Sequence, residues 1–232
     1  MTKRVLLSWS SGKDSAWALH KLRRDPDVEC AGLFTTVNSE FDRIAMHAVR
    51  RTLLDAQAAS IGLPLDIIPI PYPCPNETYE AAMAVFVEEA RQRGITHFAF
   101  GDLFLEDIRR YREDKLAGTG IEPLFPLWGL PTRALAEEMV AGGLRAFITC
   151  IDPKQAPREW AGRLFDAAFV DAIPAGIDPC GERGEFHTFV CDGPMLRQPV
   201  EVVAGAIVER DGFVFADLIP RVTRRSSCSS IL

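Results

Sequence analysis

The chain has 232 residues, 47% of them hydrophobic, and a formal net charge of −6. That is enough apolar material for one large domain or two small ones to fold without staples, and the acidic balance excludes the basic footprint of a nonspecific nucleic-acid binder. Its six cysteines (Cys30, Cys74, Cys150, Cys180, Cys191 and Cys228) never form a Cys-x-x-Cys pair, so neither a zinc knuckle nor a redox pair is indicated. Lys3 and Arg4 lead into only a few apolar residues, and no apolar run nears twenty, so neither a signal peptide nor a membrane span is expected. The expectation is a soluble, cytoplasmic protein with reduced thiols, Cys30 and Cys150 being buried in apolar strands.

Val5 to Ser8 reads as a short apolar strand, and Asp14 to Arg24 as a helix with Trp17, Ala18 and Leu22 at helical spacing. Between them runs Ser8-Trp9-Ser10-Ser11-Gly12-Lys13-Asp14-Ser15. A strand feeding through such a turn into a helix leaves unpaired backbone N–H groups at the positive end of the helix dipole, where a phosphate can sit. The hydroxyls of Ser10, Ser11 and Ser15 add donors and Lys13 adds a charge. The spacing is not a Walker loop, because Asp14 rather than a hydroxyl follows Lys13, and the three glycines of the dinucleotide fingerprint are missing.

Further strands are predicted at Glu29 to Thr35, Leu65 to Pro69, His97 to Phe100 and Ala146 to Ile151. Helices are predicted at Ile44 to Ile61, Glu77 to Arg93, Leu105 to Leu116, Thr132 to Val140 and Arg158 to Ala168. This alternation predicts an α/β fold with a mainly parallel sheet whose crevice opens at the carboxyl ends of the strands, where Thr35, Gly101 and Asp102 lie. Thr119 to Pro131 is rich in Gly and Pro and reads as a junction. The division is therefore 1–120 for a nucleotide domain, 121–222 for a smaller α/β domain and 223–232 for a tail. In the second part, Val200 to Glu209 and Phe213 to Ile219 flank Arg210-Asp211-Gly212, a β-hairpin signal.

A second dense segment is Asp178-Pro-Cys-Gly-Glu-Arg-Gly-Glu-Phe-His-Thr188. Its glycines permit close backbone approach, while Glu182, Glu185 and His187 supply two acceptors and a titratable base in one loop.

The first motif resembles the pyrophosphate loop of the N-type ATP pyrophosphatases, Ser-Gly-Gly-x-Asp-Ser, with Ser11 in place of the first glycine. A serine there is expected to keep its backbone out of the glycine-only region. Both motifs together resemble the diphthine-ammonia ligase family, within the adenine nucleotide alpha hydrolase-like superfamily. Gly181-Glu182-Arg183-Gly184-Glu185-Phe186-His187-Thr188 departs from the family's Gly-Glu-Asn-Gly-Glu-Phe-His-Thr only at Arg183. The stretches Gly101 to Arg109 and Pro123 to Gly129 also look like family segments.

The resemblance implies a Rossmann-like (HUP-type) nucleotide domain followed by a smaller α/β domain. It also implies an AMP-forming ligase that uses ATP, Mg²⁺ and ammonium on a carboxylate acceptor such as diphthine on elongation factor 2. Ser10, Ser11, Gly12, Lys13 and Ser15 would hold phosphates, with Thr35 and Gly101 also reaching the nucleotide. Asp14 would orient the loop or a hydrated Mg²⁺, and Asp102 would bind that metal or cap a helix. Lys13, Asp14, Glu182, Glu185 and His187 form the catalytic set, with Arg109 and Glu113 as second choices. His47 is either structural or near adenine, Trp128 packs or stacks on substrate, and His20 and His97 are structural. The alternatives are a nucleotide sensor of universal-stress type, or a tRNA-modifying ATP pyrophosphatase, against which the acidic charge and lack of a cysteine pair stand.

Overall fold

The computed structural model describes residues 2–40, 43–44 and 49–221. His47 and the tail with Cys228 lie outside the described residues. Strand β1 (Lys3–Ser8) sits at the centre of a largely parallel sheet because Val5, Leu6 and Leu7 are apolar on both faces and fully buried. It pairs in parallel with β2 (Val28–Asn38) on one side and with β5 (His97–Ala99) on the other. Outside these lie β4 (Leu65–Ile70), parallel to β2, and β6 (Glu122–Leu124), parallel to β5. A two-residue strand, β3 (Arg43–Ile44), pairs antiparallel with the end of β2.

The chain winds outward from β1 toward β4 and then resumes on the far side at β5, so the order reverses beside β1. The crevice of such a sheet opens at that switch point. Alternate residues of β1 face different helices. Val5 and Leu7 pack in the cluster that includes α1 (Lys13–Leu22) and α2 (Arg51–Ile61). Leu6 joins Phe34 and Phe98 against Phe86 and Val87 of α3 (Asn76–Gln92) and Leu116 of α4 (Glu106–Leu116).

After α5 (Thr132–Ala141) comes a five-stranded antiparallel sheet around β7 (Arg145–Ile151). This strand pairs on one edge with β9 (Phe186–Asp192), and on the other with β8 (Leu164–Phe165) and β11 (Phe213–Pro220). The hairpin closes on β10 (Val202–Arg210) through Asp211 and Gly212, whose φ values of 53° and 83° are those a two-residue hairpin turn requires. The architecture is the predicted one: a parallel α/β sheet followed by a smaller sheet with α5 and α6 (Ala167–Asp171). One apolar cluster runs from Val5 and Trp9 through Phe165, Phe186 and Val214 and joins the two sheets.

Four local expectations are corrected. Helix α2 begins at Arg51, and Ile44 is strand. The predicted helix over 158–168 is a 3-10 turn (Arg158–Trp160), the strand β8, and α6 capped by Asp166. Gly162, at φ 80°, breaks that segment and lets its backbone bond to Ile148 of β7. Glu122–Leu124, read as junction, is the edge strand of the first sheet. Cys150 is buried as expected, whereas Cys30 is only partly so.

Candidate active site

The turn after β1 is held from three directions. The Trp9 indole N–H donates to the Gln57 side chain at 3.0 Å, and the Gln57 amide donates to the carbonyls of Ser11 (3.1 Å) and Val190 (2.6 Å). From β9, the Val190 N–H donates to the Ser11 carbonyl at 2.9 Å. The Thr188 hydroxyl accepts from the Lys13 backbone N–H at 3.0 Å, at the first turn of α1. Beneath the turn, a Cβ at Gly101 would stand 2.9 Å from the Asp14 carbonyl carbon, so only glycine lets the end of β5 approach α1 this closely. Ser11 takes a left-handed backbone, at φ 68°. This corrects the expectation that a serine would avoid it; the two bonds from Gln57 and Val190 to its carbonyl hold it there.

Lys13 is 1% exposed. Its ammonium donates to Asp14 Oδ2 at 2.9 Å and to the Cys180 carbonyl, and lies over the rings of Phe186 and Phe165 at 5.3 and 5.7 Å from their centroids. Burial pulls the Lys13 pKa down, but Asp14 beside it and Glu182 outweigh that, so it is raised and the cation persists. Burial likewise pushes the Asp14 carboxyl up, with Lys13 opposing. Asp14 Oδ1 is buried without a hydrogen-bond partner among the described residues.

These groups face the 178–188 loop across a cavity of about 240 Å³ lined by Ser10, Gly12, Lys13, Asp14, Ser15, Gly101, Asp102, Arg112, Glu182, His187 and Thr188. Glu182 Oε1 accepts from the Leu103 N–H at 2.7 Å. Burial pushes its carboxyl up to about 7, with Asp14 and Asp102 adding to the rise and Lys13 opposing it. Burial pushes His187 down to about 4, helped by the Lys13 charge, so the imidazole is neutral at pH 7. A second cavity of about 980 Å³ adjoins over the ends of β1 and β2, with Thr35, Thr36, Tyr79, Phe98 and Tyr111 in its wall. Ser8, Ser10, Phe100 and Arg112 line both.

Residues 3–117 match the family model of the diphthamide synthase N-terminal domain, and residues 131–217 that of the diphthamide synthase C-terminal domain. The chain belongs to the diphthamide synthase family. It is 23% identical over 240 residues to a diphthine–ammonia ligase of Bos taurus, covering 92% of this chain and 88% of that protein. A Homo sapiens diphthine–ammonia ligase matches at the same 23% identity and the same coverage. As a member of the diphthamide synthase family, the chain is an ATP-dependent carbon–nitrogen ligase, and neither a sensor nor a tRNA-modifying enzyme is favoured.

In this diphthamide synthase relative, most predicted site residues converge on the smaller cavity. Thr35 faces the larger one. Ser11 lines neither: its hydroxyl is buried and has no partner among the described residues. Glu185 is also turned away, 3% exposed, with Oε1 accepting from the Asp178 N–H and Oε2 from the Arg183 N–H at 3.1 and 2.9 Å. It fastens the loop rather than facing the cavity.

Asp102 does not cap α4. Both its oxygens accept from Arg112, at 2.5 and 3.0 Å. Arg109 pairs with Glu113 at 2.7 Å and stacks on Phe125 and Trp128, outside both cavities. Trp128 thus packs. Arg183 lies over Phe104, and His20 stacks on Trp17. His97 meets Thr96 and Glu122, away from the site.

Sequence reasoning missed Gln57 and Arg112 and left Thr188 without a role. Gln57 was visible as a lone amide among Leu53, Leu54, Ala58 and Ile61 of α2, a pattern that calls for a buried partner. Arg112 was hidden in a helix charged on nearly every side.

Proposed function

We propose that this ligase adenylates a carboxylate and amidates it with ammonia, releasing pyrophosphate and AMP, and that its acceptor is a diphthine-type protein side chain on elongation factor 2, in the cytoplasm. The observation that carries this reading is the meeting of Lys13 and the Ser10–Ser15 turn with Glu182 and His187 across one cavity of about 240 Å³. In it the adenosine half of ATP occupies the larger cavity beside Thr35, and the phosphates occupy the smaller. The division of labour falls near the 119–131 stretch, with nucleotide residues before it and acceptor-side residues after it.

An acceptor carboxylate oxygen attacks the α-phosphorus and the bond to the β-phosphate oxygen breaks, giving an acyl-adenylate and pyrophosphate. Ammonia then attacks the acyl carbon and AMP departs. The preorganised hydroxyls of Ser10 and Ser15 and the Lys13 ammonium stabilise charge on the leaving pyrophosphate. Glu182, near 7, is matched to take a proton from entering ammonium at neutral pH. Neutral His187 offers a hydrogen bond without adding charge.

Mg²⁺ would neutralise the phosphates. The orphaned Asp14 Oδ1 suits a hydrated cation that keeps several waters and takes its other ligands from phosphate. Asp102 suits it less, since Arg112 holds both its oxygens.

The test is product analysis of labelled ATP with Mg²⁺, ammonium and diphthine-bearing elongation factor 2. The reading predicts AMP and pyrophosphate over many turnovers only when acceptor and ammonium are both present, and loss of both products in Lys13→Ala. Formation of ADP, or ATP held without turnover, contradicts it.

A further inference from the structure

Arg112 stands at the throat between the two cavities and lines both. Three contacts fix its guanidinium: Nε donates to Asp102 Oδ2 at 2.5 Å, Nη2 donates to Asp102 Oδ1 at 3.0 Å, and the guanidinium carbon lies 4.1 Å from the Phe100 ring centroid. The ion pair uses the Nε/Nη2 edge, so the two Nη1 hydrogens are not part of it. A guanidinium clamped on one edge and stacked on one face is preorganised to present its remaining donors to a second oxyanion.

The other cation lining the smaller cavity, Lys13, is engaged by Asp14 and the Cys180 carbonyl at the loop end. A nucleotide with its base in the larger cavity and its terminal phosphates on the loop passes its α-phosphate through the throat.

We infer that Arg112 forms an oxyanion subsite for the α-phosphate, with Asp102 as its positioning residue. This rests on the adenylating reading above. It answers an electrostatic need of that reaction: a carboxylate must approach an anionic phosphoryl group, and a fixed cation at the point of attack offsets the repulsion.

Equilibrium binding of adenosine, AMP and ATP, without acceptor or turnover, tests the subsite. Wild type should bind AMP roughly tenfold tighter than adenosine, as a charge-assisted contact to phosphate implies. Arg112→Gln should bring AMP down to the adenosine affinity while leaving adenosine itself within about twofold. Lys13→Ala should keep the preference for AMP over adenosine and lose that for ATP over AMP. Asp102→Asn should weaken the AMP preference in part.

If Arg112→Gln does not fold, Arg112→Lys decides: a lysine loses the fork on Asp102 and should bind AMP several-fold more weakly than wild type relative to adenosine. An unchanged AMP-to-adenosine ratio in whichever variant folds overturns the subsite. If the wild-type protein binds no adenine nucleotide, the adenylating reading fails, and the subsite with it.

Discussion

The Thr188 hydroxyl sits 3.0 Å from the Lys13 backbone nitrogen and accepts its hydrogen bond, so a residue 175 positions away caps the helix that follows the phosphate turn. Gly12, the residue in the cap position, has no side chain to do so. Thr188 thereby couples the C-terminal motif to the nucleotide turn. Thr188→Val should cost about 1–2 kcal/mol, the usual loss for a removed cap or an orphaned N–H. It should also raise the KM for ATP several-fold, while Thr188→Ser retains both. Thermal unfolding and ATP-dependence curves check this.

Ser11 combines a left-handed backbone with a buried hydroxyl that has no partner among the described residues. Ser11→Gly removes both and should stabilise the protein by about 1 kcal/mol, offset in part by the greater freedom of an unfolded glycine. Denaturant midpoints measure it. A loss of stability would mean that the hydroxyl has a partner in solution.

Glu182 and His187 make opposite contributions to the pH dependence of stability. The folded Glu182 pKa rises from 4.5 to about 7, so the fold holds the proton more tightly, and the stability this gives is full below 4.5 and lost as pH rises through 7. The folded His187 pKa falls from 6.5 to about 4, so stability is lost as pH falls from 6.5 through 4. Glu182→Gln should therefore raise Tm at pH 7.5 relative to wild type more than at pH 4.5. His187→Gln should protect against acid instead. Melting curves between pH 4 and 8 separate the two.

Glu185 and Glu182 lie three residues apart and should behave differently on substitution. Glu185→Ala leaves the Asp178 and Arg183 N–H groups without their acceptor and should cost about 2–6 kcal/mol, one to three for each group left unpaired. Glu182→Gln should leave the fold intact at pH 7 and cut kcat by about a hundredfold or more, the lower end for a lost general base. Comparing Tm with kcat for the two variants checks the assignment.

The parallel sheet and both motifs were legible because their signals are local. Val5 to Leu7 is a continuous apolar run, and Ser10 to Ser15 and Gly181 to Thr188 each concentrate their polar groups in a few consecutive residues. What the sequence hides is direction. Glu182 and Glu185 read alike, yet Gly184 at φ 86° turns the chain between them, so one faces the cavity and the other its own loop. Strand β9 is masked in the sequence because its first three residues belong to the polar motif, although Phe186, Thr188 and Val190 are all buried in the joined sheets. Gln57 and Arg112 reach the site from helices α2 and α4, whose own patterns report only burial and charge.

The adenylation itself is tested most directly by isotope transfer. Diphthine-bearing elongation factor 2 with an ¹⁸O-labelled acceptor carboxylate is incubated with the protein, ATP, Mg²⁺ and ammonium, and the nucleotide product is weighed by mass spectrometry. Attack of the carboxylate on the α-phosphorus predicts AMP carrying one ¹⁸O. Unlabelled AMP, or label in inorganic phosphate beside ADP, would contradict the mechanism.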